Sequence, residues 1–194
     1  MKIKNKHLLV LVLSLFVSTF GFAQEKYNSI EIDPTYFVQN GYSFHIRIKP
    51  SNVKHFVFGA GIYALDIPNA VVDLNSENSG KGWKVRLNTS YSLFGEYYLK
   101  EANTKWFVGL QTGIQNYVNS NEHIAEETCT YWNQLAMPYV GYSWFPFKFP
   151  LYIKPWAGLG YTSQISGSTT IKGVKYDISP IVPLVAVHVG YTFK

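Results

Sequence analysis

Two groups of residues in this sequence have types and spacings suited to chemistry. The first is a set of strong charges at alternating positions: His45, Arg47 and Lys49; Lys84, Arg86 and Glu96; Lys154; and His188. On one face of a sheet these groups converge. They would form either an anion-conducting path or a hydrogen-bonded ion network that fills the space between strands. Glu31 and Asp33 join them if their own strand has the same phase. The second group is Ser43 and His45, two apart and so on the same side of a strand, with Asp33 as a nearby acid. Nucleophile, base and acid are the parts of a hydrolase triad, although a triad is defined by geometry rather than by spacing. His123 with Glu122, Glu126 and Glu127 carries the donors of a loose divalent-cation site, but an acidic solvated loop accounts for the same residues. No phosphate-binding glycine loop, zinc-protease helix or nucleophile elbow occurs, so no catalytic set, cofactor or metal is expected. With one cysteine, Cys129, there is no intramolecular disulfide and no zinc cluster.

The elements that must position these residues are strands. From Gln24 onward there is no sustained helical period, while period-two alternation recurs in segments rich in Tyr, Phe, Trp, Val and Ile. Eight such segments can be cut, over about 29–38, 41–49, 55–66, 82–99, 105–118, 130–146, 150–166 and 180–193. The clearest runs from Trp83 to Leu99, with Trp83, Val85, Leu87, Thr89, Tyr91, Leu93 and Tyr97 on one face and Lys84, Arg86 and Glu96 on the other. Short connections near 50–54, 100–104 and 147–149 alternate with longer polar ones near 68–81, 119–129 and 167–179. Only the first, where Asn40-Gly41 reads as a two-residue hairpin turn, is short where a long one is due. Strands 29–38 and 130–146 cannot be phased from the sequence.

Before the strands stands a segment that is not fold. Residues 1–23 join a basic start (Lys2, Lys4, Lys6) to an apolar stretch (Leu8 to Val17) and a small-residue exit, the pattern of a cleaved secretory signal. Its removal takes three lysines and no acids, so the formal charge falls from +5 to +2. Nucleic-acid binding thereby loses its support. Residues 24–194 remain as one domain, at 15% charge and 17% aromatic content over the whole chain, a composition that argues against disorder.

Sidedness decides the solvent. On the well-phased strands one face carries Tyr42, Phe44, Ile46, Ile48, Trp106, Val108, Leu110, Ile114, Leu151, Ile153, Ala157, Leu159 and Tyr161, with no charge. The charges fall on the other face. A charge on a lipid-facing position costs roughly 2–4 kcal/mol at mid-bilayer, so this segregation fits a barrel with lipid outside and charge inside. Glycines 59, 61, 109, 113, 158, 160 and 190 lie mostly on the charged face, where they are expected to make room for Arg and Lys stems. Trp83 and Trp132 near the long loops, and Trp106, Trp144 and Tyr191 near the opposite rim, are expected as interface girdles.

The terminal residues Val185, Val187, Val189, Tyr191 and Phe193 resemble the last-strand signature of outer-membrane barrels, and the whole layout is similar to the small OmpA/OmpX-like family. The chain departs from the signature by adding Lys194 after the Phe. The resemblance implies an all-β, eight-stranded, antiparallel up-and-down transmembrane β-barrel in the outer membrane of a Gram-negative cell. It also implies outer-membrane lipid as surroundings and the barrel-assembly machinery as a partner during insertion. The expected function is non-enzymatic, structural or surface-contact, with a plugged polar interior. The alternatives are a lipid-modifying hydrolase acting on lipid A, as some small outer-membrane barrels do, and a secreted lipocalin-like barrel that binds ligand.

Overall fold

The computed structural model describes residues 27–193; the expected signal segment and Lys194 lie outside them. In chain order the elements are β1 (Tyr27–Ile32), α1 (Pro34–Val38), β2 (Tyr42–Lys49), β3 (Phe56–Ile67), α2 (Asn69–Val72), β4 (Trp83–Tyr98), β5 (Lys105–Asn121), β6 (Ile124–Ser143) and β7 (Leu151–Gly167). A two-residue hairpin, β8 (Thr170–Ile171) and β9 (Val174–Lys175), precedes the last strand, β10 (Ile181–Phe193). Strands β1 to β7 and β10 close into one antiparallel barrel in which each pairs with its neighbours in the chain and β10 returns to β1. The eight expected segments are therefore eight strands, and closure leaves no full edge of the kind that invites aggregation.

The first connection departs from expectation. Residues 29–38 are not one strand, because Pro34 cannot donate to a ladder and starts a short helix instead. Asp33 caps that helix: its carboxylate accepts from the Thr35 backbone N–H at 2.9 Å and from the Thr35 hydroxyl at 2.7 Å. Asn40-Gly41 is thus the exit of α1 rather than a hairpin turn, with Asn40 at φ 52°. With this connection lengthened, every long connection falls at one end of the barrel, opposite the end that holds the termini. The 119–129 connection departs the other way: β5 and β6 run on as a ladder to a tight turn at Asn121 and Ile124.

Outside, the wall is apolar from the short-turn rim upward. Phe44, Ile46, Phe58, Leu93, Val108, Leu110, Val140, Leu159, Val185 and Val187 are all exposed. Trp106, Trp144, Phe147, Phe149 and Tyr191 ring the short-turn rim, also exposed.

On β4 the phase changes. The register shifts between Leu87 and Thr89 against β5 and between Leu87 and Ser90 against β3, so β4 carries one extra residue there. Below this bulge Ser90, Ser92, Phe94, Glu96 and Tyr98 point inward; above it Trp83, Val85 and Leu87 do. One inserted residue exchanges the two faces of a strand. The expected single face from Trp83 to Leu99 is therefore two half-faces, and Trp83 is an interior side chain rather than a girdle residue.

Candidate functional site

The interior contains two stacked compartments. In the lower, toward the termini, Arg47 stands between two glutamates: its guanidinium donates to Glu31 and to Glu96, and to the Tyr98 hydroxyl at 2.8 Å. Lys154 Nζ lies 2.9 Å from a carboxylate oxygen of each glutamate. The Tyr152 hydroxyl donates to Glu31 at 2.8 Å, and the Tyr139 and Tyr98 hydroxyls donate to Glu96 at 2.9 Å each. His188 Nδ1 reaches Glu31 at 3.1 Å. Two cations and two anions, all buried, balance one another, and the phenols occupy remaining lone pairs. Burying charge is tolerable only with such pairing and hydrogen bonding. Lys154 also lies 5.2 Å from the Phe107 ring centroid, a cation–π contact.

Glycine makes this packing possible, and its partners are rings rather than the expected Arg and Lys stems. A Cβ on Gly190 would lie 2.2 Å from the Tyr152 ring, and one on Gly109 2.4 Å from the Tyr139 ring. Each glycine is the cross-strand partner of its tyrosine. The rings lie flat over bare backbone and so deliver their hydroxyls to the glutamates.

Of the residues expected in the interior, Arg47, Glu96, Lys154, His188 and His45 are buried inside the barrel, and Lys49 is half-buried at the terminal rim opposite Tyr27. Lys84 and Arg86 are not interior. The bulge turns both outward, leaving Lys84 exposed and Arg86 paired with Asp66 at 2.6 Å on the outer surface near the long loops. Glu31, whose strand could not be phased, is a central member of the network. The tyrosines were missed because an interior Tyr and a lipid-facing Tyr look alike in a period-two pattern. An inward glycine directly opposite was the available signal.

The Ser43–His45 pair exists, with Ser43 Oγ 3.3 Å from His45 Nδ1. The acid is not where a triad needs it. Asp33 presents its backbone N–H to Ser43 Oγ at 3.2 Å while its carboxylate caps α1, and Glu31 contacts His188 rather than completing a relay through His45. His45 instead stacks on His188, with ring centroids 4.8 Å apart. Among the described residues no cluster could hold a metal ion.

Above the network lies an apolar cavity of about 410 Å³. His45, His188 and Gln111 form its floor; Tyr63, Leu65, Leu87, Leu135, Trp156 and Leu184 belong to its wall, and Tyr176 lies toward the loops. Gln111 and Gln115 donate to the Tyr63 hydroxyl at 3.2 and 3.4 Å. In the 168–180 connection, burial and then the neighbouring Asp177 charge push the Tyr176 phenol up to about 12.

A closed ring of eight antiparallel strands, polar within its lower half and apolar on its outer wall, is the fold of the small outer-membrane β-barrels. Among solved structures the chain is similar to a major outer membrane protein from Thermus thermophilus, at 11% identity over 88% of this chain and 100% of that one, with a TM-score of 0.51. It also matches the N-terminal barrel domain of Pseudomonas aeruginosa OprF (11% identity, 88% and 98% covered, TM-score 0.47) and Neisserial surface protein A (10%, 87% and 97%, 0.41). At such identities the likeness concerns the fold alone. No protein-family model matches the chain, and no curated protein matches it in sequence.

Proposed function

We propose that this chain is a non-enzymatic integral protein of a Gram-negative outer membrane. In this reading its termini and short turns face the periplasm and its long connections face outward. The observation that carries the reading is the inversion of its wall: large apolar side chains such as Leu110, Leu159 and Val185 stand exposed outside, while Arg47, Lys154, Glu31 and Glu96 are buried inside. In water that arrangement would expose a continuous apolar belt far beyond the few hundred Å² that soluble monomers tolerate, which counts against the soluble ligand-binding barrel. In hydrocarbon it is the favourable arrangement. Aromatic residues at the short-turn rim support the same placement at a membrane interface. The outward Val185, Val187, Tyr191 and Phe193 support recognition by the barrel-assembly machinery.

The ion network is proposed to plug the barrel, since eight strands leave room for side chains and not for a channel. The long connections are then left to supply surface contact. The expected result is a heat-modifiable band in the outer-membrane fraction, with no steady ionic conductance from the purified protein in a planar bilayer. Solubility without detergent, or stable channel openings, would contradict it. Because Ser43 lacks an acid behind His45, lipid A from a Ser43→Ala/His45→Ala strain is expected to match wild type by mass spectrometry.

A further inference from the structure

We propose that the cavity above the ion network binds a single long hydrocarbon chain, carried by an amphiphile, and that the chain enters sideways between β10 and α1. The inference rests on the membrane reading above.

The cavity has the size of a small-molecule site, since such sites run about 300–1,000 Å³, and its character is right too: mostly apolar walls with a few polar groups. Leu65, Leu87, Leu135 and Leu184 supply dry surface, and an apolar cavity offers little to water. Of the buried side-chain polar atoms that lack a hydrogen-bond partner among the described residues, one belongs to the lining: Oδ1 of Asn133. With so few polar groups to meet, a hydrocarbon chain fits this lining better than a sugar or a peptide.

The way in follows from the ladder. β1 stops at Ile32, where Pro34 starts the helix, so β1 pairs with β10 only at residues 189–193. Residues 181–188 of β10 pair with β7 on one side and have no strand on the other among the described residues. Pro183 lies in this stretch, as a proline can where no ladder hydrogen bond is asked of it. Only the five-residue α1 covers the break, packed against β10 and β2 and placing Tyr36 in the cavity wall. Ile181 and Pro183 both line the cavity and yet both face outward. Lining by outward residues is what a space reaching the free edge of their strand produces. The facing residues on β7, Tyr161 and Leu159, belong to the exposed apolar wall, so the break opens at the depth of hydrocarbon.

Two single-tryptophan proteins test this, each with the other four tryptophans replaced by Phe. One keeps Trp156, in the cavity wall; the other keeps Trp106, on the outer belt. Each is reconstituted in vesicles of a phospholipid with brominated acyl chains and, separately, in detergent with a brominated fatty acid. Strong quenching of Trp106 in the vesicles reports membrane embedding alone. Trp156 is expected to be quenched saturably, and a Leu87→Phe/Leu184→Phe pair that fills the cavity is expected to weaken that quenching at least tenfold while leaving the heat-modifiable band. Quenching of Trp156 in vesicles identifies membrane lipid as the source; quenching only with the fatty acid identifies a free amphiphile. If Trp106 is quenched and Trp156 is not in either medium, or if the cavity-filling pair changes nothing, the inference is overturned while the membrane reading stands. If Trp106 is not quenched, the membrane reading itself fails.

Discussion

The two halves of the barrel interior solve opposite problems with the same wall. The lower half is filled: four charged side chains and three phenols close on one another, and aromatic rings lie against bare glycine backbone. The upper half is left partly empty, and its lining is apolar although it sits directly on the charged layer. The difference originates in the strands. Below the bulge β4 turns Phe94, Glu96 and Tyr98 into the network; above it the same strand presents Trp83, Val85 and Leu87 inward and Lys84 and Arg86 outward. On β4 the inside is polar where the outside is apolar, and apolar where the outside turns polar. A single extra residue marks that level on β4.

The sharpest way to break the comparison is in the lower half. Arg47→Met leaves Glu31 and Glu96 buried with one cation between them, and is expected to cost about 3–5 kcal/mol, as breaking a buried pair does. Urea titration of the heat-modifiable band in vesicles measures it. Adding Glu96→Gln to that variant should restore part of the loss, because the remaining charges balance again; a merely additive double variant would refute the charge-balance account.

Next comes Gly190→Ala, which drives a methyl group into the Tyr152 ring and is expected to cost about 1–3 kcal/mol, as overpacking does. Gly95→Ala, whose added carbon would meet nothing closer than Phe58 at 3.5 Å, should change stability by less than about 0.5 kcal/mol by the same assay. In the upper half Leu87→Ala only enlarges a space that already exists. A loss near about 2 kcal/mol, the bottom of the range for such truncations, is expected. A cost equal to that of Arg47→Met would mean the halves are not packed differently.

The smallest effect is a titration. A free phenol ionises near about 10, whereas that of Tyr176 is held up to about 12. Its contribution to stability is therefore complete below the unfolded value and is lost as pH rises through the folded one. Ultraviolet titration of Tyr176→Phe should lack one late-ionising component and leave the lower-half tyrosines as they were.

Strand number, the outer wall and much of the charged layer were legible because period-two alternation is dictated by a two-sided solvent. Three features were not. The bulge at Asn88-Thr89 left no trace because odd positions are apolar on both sides of it: Trp83, Val85 and Leu87 because they face in, Tyr91, Leu93 and Tyr97 because they face out. Alternation records polarity and not direction, so it puts Lys84 and Arg86 on the wrong side. The first connection misleads because Asn40-Gly41 satisfies hairpin chemistry locally, while Pro34 and the capping Asp33 govern what precedes it. The role of the glycines was half legible: their face was visible, but not the rings across from them.

The early end of β1 has a consequence for how the ring closes. The last strand and the first share only residues 28–32 and 189–193, whereas β5 and β6 run alongside each other from Lys105 to Asn121. Closure is thus a short stitch, in which β1 joins β10 on one side and β2 on the other by five residue pairs each. Within that stitch Glu31 ties Arg47, Lys154 and His188, from β2, β7 and β10, to β1. The charged cluster then acts as a clasp across the join as well as a filling for the bore.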